Sequence, residues 1–336
     1  KLHQNNKFNE AEKKYLSLLS FDSKNHQCLY LLGTLYAQTN KNDKAIELLN
    51  ASIKINNQNA DAFYNLGNIY QNTNLINKAI ISYTETLKLN KNYLKAYLNL
   101  GQIFSKRKEK LKAIDYYKEA LKIDGNYNDA LNNLGTIYAE DTEYKIAINL
   151  FKKAILSNPT NHRSYYNLGT VYQKIKDYEK AIINFEKSIS IIKIYPQAYN
   201  NLGYLYKQIN NFEKSKIYYE EGIKQNPSYA LIKMNYGNLL DIMCEHEAAI
   251  NLYNSSILDD PLKLSTRWAK LNTFPFVYKN QDEIIKYKKN FQNEILSIKD
   301  FIGKNELDKQ ETLNGLLNST NFYLHYQGTD NTKLQI

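Results

Sequence analysis

Cys244 and His246 stand two residues apart, a pairing from which a metal site can be started. A zinc centre needs further ligands close by, and no other Cys or His lies near this pair in the sequence. The five histidines, His3, His26, His162, His246 and His325, never fall into an HExxH pattern. The glycines come singly, not in a phosphate-cradling loop, and no serine occupies a GxSxG elbow. Carboxylates are numerous but scattered. The sequence therefore predicts no catalytic residue, no metal and no cofactor within these 336 residues. What does recur is a carboxamide. Asn65, Asn99, Asn133, Asn167, Asn201 and Asn235 follow one another at intervals of 34. Each offers two donors and an acceptor. A row of them matches the unpaired N–H and C=O groups of an extended peptide, whatever its side chains. Asn is common here, 45 of 336 residues, but composition alone does not place six in one column.

The elements that position this row are set by a second column. Gly33, Gly67, Gly101, Gly135, Gly169, Gly203 and Gly237 also recur every 34 residues, without insertion. With Gly as position 8, the asparagines fall at position 6, where the first repeat has Leu31. Position 7 is Leu in six repeats and position 11 is Tyr or Phe in six. Position 20 is Ala in six. Position 24 is large throughout (Leu49, Tyr83, Tyr117, Phe151, Phe185, Tyr219, Tyr253), and position 27 stays small. Spacings of three and four put positions 4, 7, 8 and 11 on one face of a first helix, and 20, 24 and 27 on one face of a second. Gly within a helix costs about 1 kcal/mol against Ala, so its recurrence predicts close packing. Pro159, Pro227 and Pro261, at position 32, end the second helix.

These columns resemble the tetratricopeptide repeat (TPR) family. The resemblance implies an all-α fold, a right-handed superhelix (α-solenoid) of helix-turn-helix repeats, each contacting only its neighbours. Residues 26–263 read as seven tandem repeats. Residues 1–25 read as the second helix of a truncated repeat, with Ala11 at position 20 and Tyr15 at position 24. In TPR arrays the first helix of each pair lines a concave groove. The asparagine column then lies in that groove, joined by Asn68 and Asn238 at position 9 and by Tyr30, Tyr64 and Tyr166 at position 5. Asn at position 6 also belongs to the general TPR consensus, so holding adjacent helices together is an equal alternative. The groove's expected partners are proteins or flexible peptide segments. Binding of chaperone tails needs Lys at position 5, and that column contains none.

Composition narrows the partners further. The formal charge is +10, but both signs alternate along the chain without a long basic block, so no nucleic acid is expected. No run of about 18 apolar residues occurs, so no helix is expected to cross a membrane. Cys28 and Cys244 fall in repeats that do not touch in a solenoid, which favours free thiols, a reducing compartment and a cytoplasmic location.

Beyond the repeats, residues 264–319 read as a capping helix followed by amphipathic linker helices. Leu262 to Asn272 forms one helix carrying Trp268, the only Trp, as a cap over the last repeat's core. Asn280 to Ile302 forms a long one, opened by an Asn280/Glu283 capping box and striped by Ile284, Tyr287, Phe291, Ile295, Ile298 and Ile302. A shorter helix is expected over 306–317. The stretch from Phe274-Pro275-Phe276 through this region to Asn321-Phe322-Tyr323-Leu324-His325-Tyr326-Gln327-Gly328 is similar to the junction of SPINDLY-type O-linked GlcNAc transferases. His325 departs from the small residue of that pattern. The resemblance implies that 320–336 starts a junction to a catalytic domain beyond Ile336. UDP-GlcNAc would be the donor only there, and this chain would be the arm that selects acceptor proteins. Without such a domain, the chain reads as a stand-alone scaffold that assembles protein complexes.

Overall fold

A computed structural model describes residues 7–273 and 280–304. The expected helix over 306–317 and the junction motifs at 274–278 and 320–336 lie outside them. Among the described residues the chain is helical and contains no strand. It forms two compact units, residues 1–160 and 161–336.

The first unit runs α1 (Phe8–Phe21), α2 (His26–Gln38), α3 (Asn42–Ile55), α4 (Ala60–Asn72), α5 (Ile76–Leu89), α6 (Leu94–Lys106), α7 (Lys110–Ile123), α8 (Asn128–Glu140) and α9 (Tyr144–Ser157). The second runs α10 (His162–Lys174), α11 (Tyr178–Ile191), α12 (Pro196–Gln208), α13 (Phe212–Gln225), α14 (Ala230–Ile242), α15 (His246–Asp259), α16 (Leu264–Leu271) and α17 (Gln281–Lys304). In each unit a 13-residue A helix (α2, α4 and so on) packs against the 14-residue B helix that follows it, and that B helix packs on the next A helix. Each pair reproduces the helix-turn-helix repeat expected from the 34-residue period.

The glycine column works as its recurrence implied. A Cβ added at Gly67 would lie 2.5 Å from Cε1 of Tyr83, and one at Gly101 2.4 Å from Cε1 of Tyr117. The ring at position 24 therefore occupies the space that the A helix leaves at position 8. Tyr83, Tyr117, Phe151, Phe185, Tyr219 and Tyr253 are all fully buried by this means. Burying one such ring contributes about 2–3 kcal/mol. The alanines at position 20 are fully buried as well. At position 27, Ser52, Ser188 and Ser256 donate to the carbonyls of His26, His162 and Ala230 at 2.7, 2.9 and 2.8 Å, tying each B helix to the start of its A helix.

The turn between the paired helices repeats too. Asn40, Asn74, Lys108, Thr142, Lys176, Asn210 and Cys244, all at position 15, have φ between 57° and 62°. The next residue's N–H closes back five residues, as Lys41 N does on Tyr36 O at 2.8 Å. This is the Schellman termination, which Gly or Asn adopts at little cost. Thr142, β-branched, is the least suited of the seven, since the left-handed region costs such residues about 1–2 kcal/mol. Thr142→Asn is expected to raise stability by about 1 kcal/mol, read as a higher urea midpoint at unchanged slope. A lower midpoint would contradict this account of the turn.

At the end of the second unit, α16 and α17 match the two helices expected there to within two residues at each end. Asn280 Oδ1 accepts from Glu283 N at 2.9 Å, as the capping box requires. Tyr287, Phe291 and Ile298 of the apolar stripe are buried. Trp268 packs with Leu264, Leu271, Phe291 and Ile298. The tryptophan thus joins α16 to α17 instead of only covering the last repeat, because the α17 stripe supplies the larger apolar partner.

Candidate functional site

Successive A helices touch one another in each unit, α2 with α4 and α6 with α8 in the first, α12 with α14 and α14 with α16 in the second. The asparagine column lies along this layer. All six asparagines are half-buried. In the first unit, Asn65 Nδ2 donates to Thr34 Oγ1 at 2.9 Å. Asn99 Nδ2 lies 3.0 Å from Tyr83 OH and 3.1 Å from Asn68 Oδ1, with Tyr64 OH at 3.4 Å. Tyr83 OH in turn donates to Asn68 Oδ1 at 2.8 Å. Asn133 bonds Tyr117 in the same relation. In the second unit, Asn201 Nδ2 reaches Tyr166 OH at 3.3 Å, and Asn235 Nδ2 reaches Asn200 Oδ1 at 2.8 Å. Asn238 Oδ1 accepts from Tyr253 OH at 2.9 Å. Asn167 sits half-buried on α10.

A division of labour follows. The amide N–H of Asn65, Asn99, Asn133, Asn201 and Asn235 is committed to the preceding repeat, through its position-5, position-9 or position-24 side chain. Among the described residues the Oδ1 atoms of Asn65, Asn99 and Asn235 accept no hydrogen bond. The column joins neighbouring helices and leaves carbonyl acceptors open at Asn65, Asn99 and Asn235, whereas Asn201 Oδ1 accepts from Asn200 Nδ2 at 3.4 Å.

The position-5 tyrosines have a partner that sequence reasoning missed. Tyr93 packs on Tyr64 at a centroid distance of 4.9 Å, and Tyr195 packs on Tyr166 at 4.8 Å. Both partners occupy position 34, immediately before an A helix, where the chain reads Asn25, Asn59, Tyr93, Tyr127, Asn161, Tyr195 and Tyr229. Where this residue is Asn, its side chain caps the helix, as Asn59 Oδ1 does by accepting from Ala62 N at 3.1 Å. Where it is Tyr, the cap is given up and a ring is added to the A-helix layer. Burial pushes the Tyr127 and Tyr195 phenols up to about 12, with Asp129 adding to the rise at Tyr127 and Tyr166 at Tyr195. Burial raises Tyr30 and Tyr166 as well. All four stay protonated donors at neutral pH.

A second periodic feature was also missed. Lys44, Lys78, Lys112, Lys180 and Lys214, at position 19, hold their ammonium groups 5.1–5.8 Å from the position-11 ring of their own repeat. This is a regular basic row on aromatic rings, which the scattered charge of the sequence did not suggest. Lys112 is paired with Glu109 at 2.7 Å and Lys180 with Asp177 at 2.6 Å. The row clamps each hairpin through cation–π contact, and part of its charge is neutralised.

Cys28 is buried, its Sγ 3.3 Å from Tyr15 O, and Cys244 is exposed; both are free thiols. His246 Nδ1 lies 2.8 Å from Asp241 Oδ1. Among the described residues no three His, Cys, Asp or Glu side chains cluster as metal ligands. No described helix is long and apolar enough to cross a membrane.

Family models described as TPR repeat or tetratricopeptide repeat match residues 33–74, 60–93, 94–127, 129–161 and 160–225, together more than half of the chain. No curated protein matches it. Among solved structures, the chain is similar to that titled functional characterization of Pseudomonas aeruginosa pilF, with 21% identity, a TM-score of 0.56, and coverage of 62% of this chain and 95% of that one. It is similar to a chain of the APC/C hetero-tetramer Cut9-Hcn1, with 20% identity, a TM-score of 0.58, and coverage of 71% and 47%. A tetratricopeptide repeat protein from Parabacteroides merdae gives 19% identity, a TM-score of 0.57, and coverage of 73% and 97%. Likeness at this level of identity concerns the fold.

Proposed function

Because the chain belongs to the tetratricopeptide repeat family, we propose that it is a protein-interaction module whose A-helix layer binds extended polypeptide. The observation that supports this most is the division of labour in the asparagine column. A residue needed only to join helices could satisfy both ends of its carboxamide internally. At Asn65, Asn99 and Asn235 the amide is spent on the neighbouring repeat, and the oxygen is left to accept a backbone N–H from outside. Asn65, Asn99, Asn133, Asn167, Asn201 and Asn235 are the proposed backbone readers. Asn68 and Asn238 orient them or the phenols beside them, and Tyr30, Tyr64 and Tyr166 provide flanking apolar surface. The partner is a protein or a flexible segment of one, in a reducing, cytoplasmic setting that suits two free thiols.

The test is a selection of displayed 15-residue peptides on the full chain, followed by Asn65→Ala/Asn99→Ala/Asn133→Ala. A net hydrogen bond contributes about 1 kcal/mol, so the triple variant is expected to weaken binding of selected peptides at least tenfold. Its melting temperature, read in parallel, separates lost binding from lost inter-repeat contacts. Unchanged affinity in a folded triple variant would sink the ladder.

The finer reading makes this module the acceptor-selecting arm of a SPINDLY-like protein O-GlcNAc transferase. It rests on the sequence resemblance at residues 274–336. Finding glycosyltransferase lobes encoded after Ile336 would support it. A stop codon within a few residues would favour the stand-alone scaffold.

A further inference from the structure

In the second unit the A-helix layer carries positive charge without the acids to balance it. Neither α10 nor α12 contains an Asp or Glu, and α14 contains only Asp241, which is bonded to His246. Arg163, exposed at position 2 of α10, and Lys207, half-buried at position 12 of α12, have no carboxylate within ion-pair distance among the described residues. The Lys207 ammonium lies 5.7 Å from the Tyr204 ring. Burial lowers its affinity for the proton. Burial also holds the His162 imidazole below its usual range, so that ring adds no cation. Lysines that leave water ordinarily do so beside a counter-charge. Glu186, on the neighbouring α11, accepts from Tyr206 and Tyr218 through Oε1, both at 2.9 Å, and forms no ion pair with Arg163 or Lys207 among the described residues.

We propose that this face of the second unit binds acidic extended polypeptide, with carboxylates of the ligand meeting Arg163 and Lys207. This rests on the polypeptide-binding function proposed above and names its ligand class. The charge arrangement differs from a clamp for a terminal carboxylate, since position 5 carries no lysine. An internal acidic segment satisfies it equally well. Nucleic acid is disfavoured. Two cations neutralise few phosphates, and the Tyr166 and Tyr195 rings pack on each other instead of standing apart to stack bases.

The experiment uses the full chain and fluorescence anisotropy at low salt. The probes are a C-terminally amidated 15-residue peptide with six Glu in a Gly/Ser background, the same peptide with Gln for Glu, and a single-stranded oligo-U. The acidic peptide is expected to bind at least tenfold more tightly than its Gln twin, and to lose that margin in Arg163→Gln/Lys207→Gln. Arg163→Gln alone, at an exposed side chain, is expected to lose part of it and keeps the test decisive if Lys207→Gln impairs folding. Equal binding of the two peptides overturns the acidic preference while leaving polypeptide binding intact. A preference unchanged by the variants overturns the assignment to these residues. Tighter binding of oligo-U overturns the ligand class, and binding of neither peptide refutes polypeptide binding itself.

Discussion

Gly101→Ala is expected to destabilise the first unit by about 2 kcal/mol, although Ala is the better helix former by about 1 kcal/mol. The clash outweighs the propensity. The new Cβ would stand 2.4 Å from Tyr117 Cε1 and 2.8 Å from Cζ, and that ring is only 1% exposed, so it has nowhere to turn. Overpacking of a close-packed core costs about 1–3 kcal/mol, sometimes more. The same change elsewhere grades the effect. At Gly33 the nearest atom is Cγ of Leu49 at 3.0 Å, on a flexible side chain, and the cost is smaller. At Gly303 nothing lies within 4 Å, and Ala is expected to stabilise α17 slightly. The decisive measurement is a double-mutant cycle by urea denaturation. Tyr117→Leu reproduces the pairing that Gly33 makes with Leu49, and in the Gly101→Ala background it should cost at least 1 kcal/mol less than alone. Strict additivity of the two changes would refute ring-over-glycine packing as the reason for the column.

Asp259→Ala is expected to cost the second unit about 3 kcal/mol. Lys233, on α14, is 8% exposed, and its ammonium is paired with Asp259 and donates to Ser255 Oγ at 2.8 Å. Removing the carboxylate leaves a cation out of water with one neutral partner, and breaking a buried pair from one side typically costs about 3–5 kcal/mol. The side chains stay partly reachable by solvent, which places the expectation at the lower end of that range. Lys233→Met should recover most of the loss in the Asp259→Ala background, because an apolar side chain of similar length has no charge to strand. A single variant as stable as the parent, or a double variant no better than the single, would show that the pair does not secure α14 against α15.

The fold was legible in the sequence wherever a column had one physical job. Gly at position 8 is invariant and position 20 admits only Ala or, once, Ser215, so their period was visible at once. The stripe on α17 was legible for the same reason, since spacings of three and four over six large residues leave no alternative to a buried helix face. Position 34 was not legible, because it has two solutions. Asn59 caps a helix and Tyr93 stacks on Tyr64, and no single residue type marks the column. The role of Asn99 was only half legible. Its recurrence pointed to a function, but its amide bonds depend on Tyr83 and Asn68, which lie 16 and 31 residues back. The basic row escaped notice because Lys44, Lys78 and Lys112 are separated by acids in the chain and are brought into line only by the helical pairing.

Tyr83 belongs to two regions at once, its ring buried against Gly67 and its hydroxyl among Asn68 and Asn99. Phe151 and Phe185 fill the same place with the same ring and no hydroxyl. A single oxygen atom, present in some repeats and absent in others, gives Asn99 a phenol at position 24, whereas Asn201, beside Phe185, reaches the position-5 phenol of Tyr166 instead. Such an exchange alters the polar face of the A-helix layer with little change in the volume of the core. This gives evolution a dial for each repeat that can be turned independently of folding.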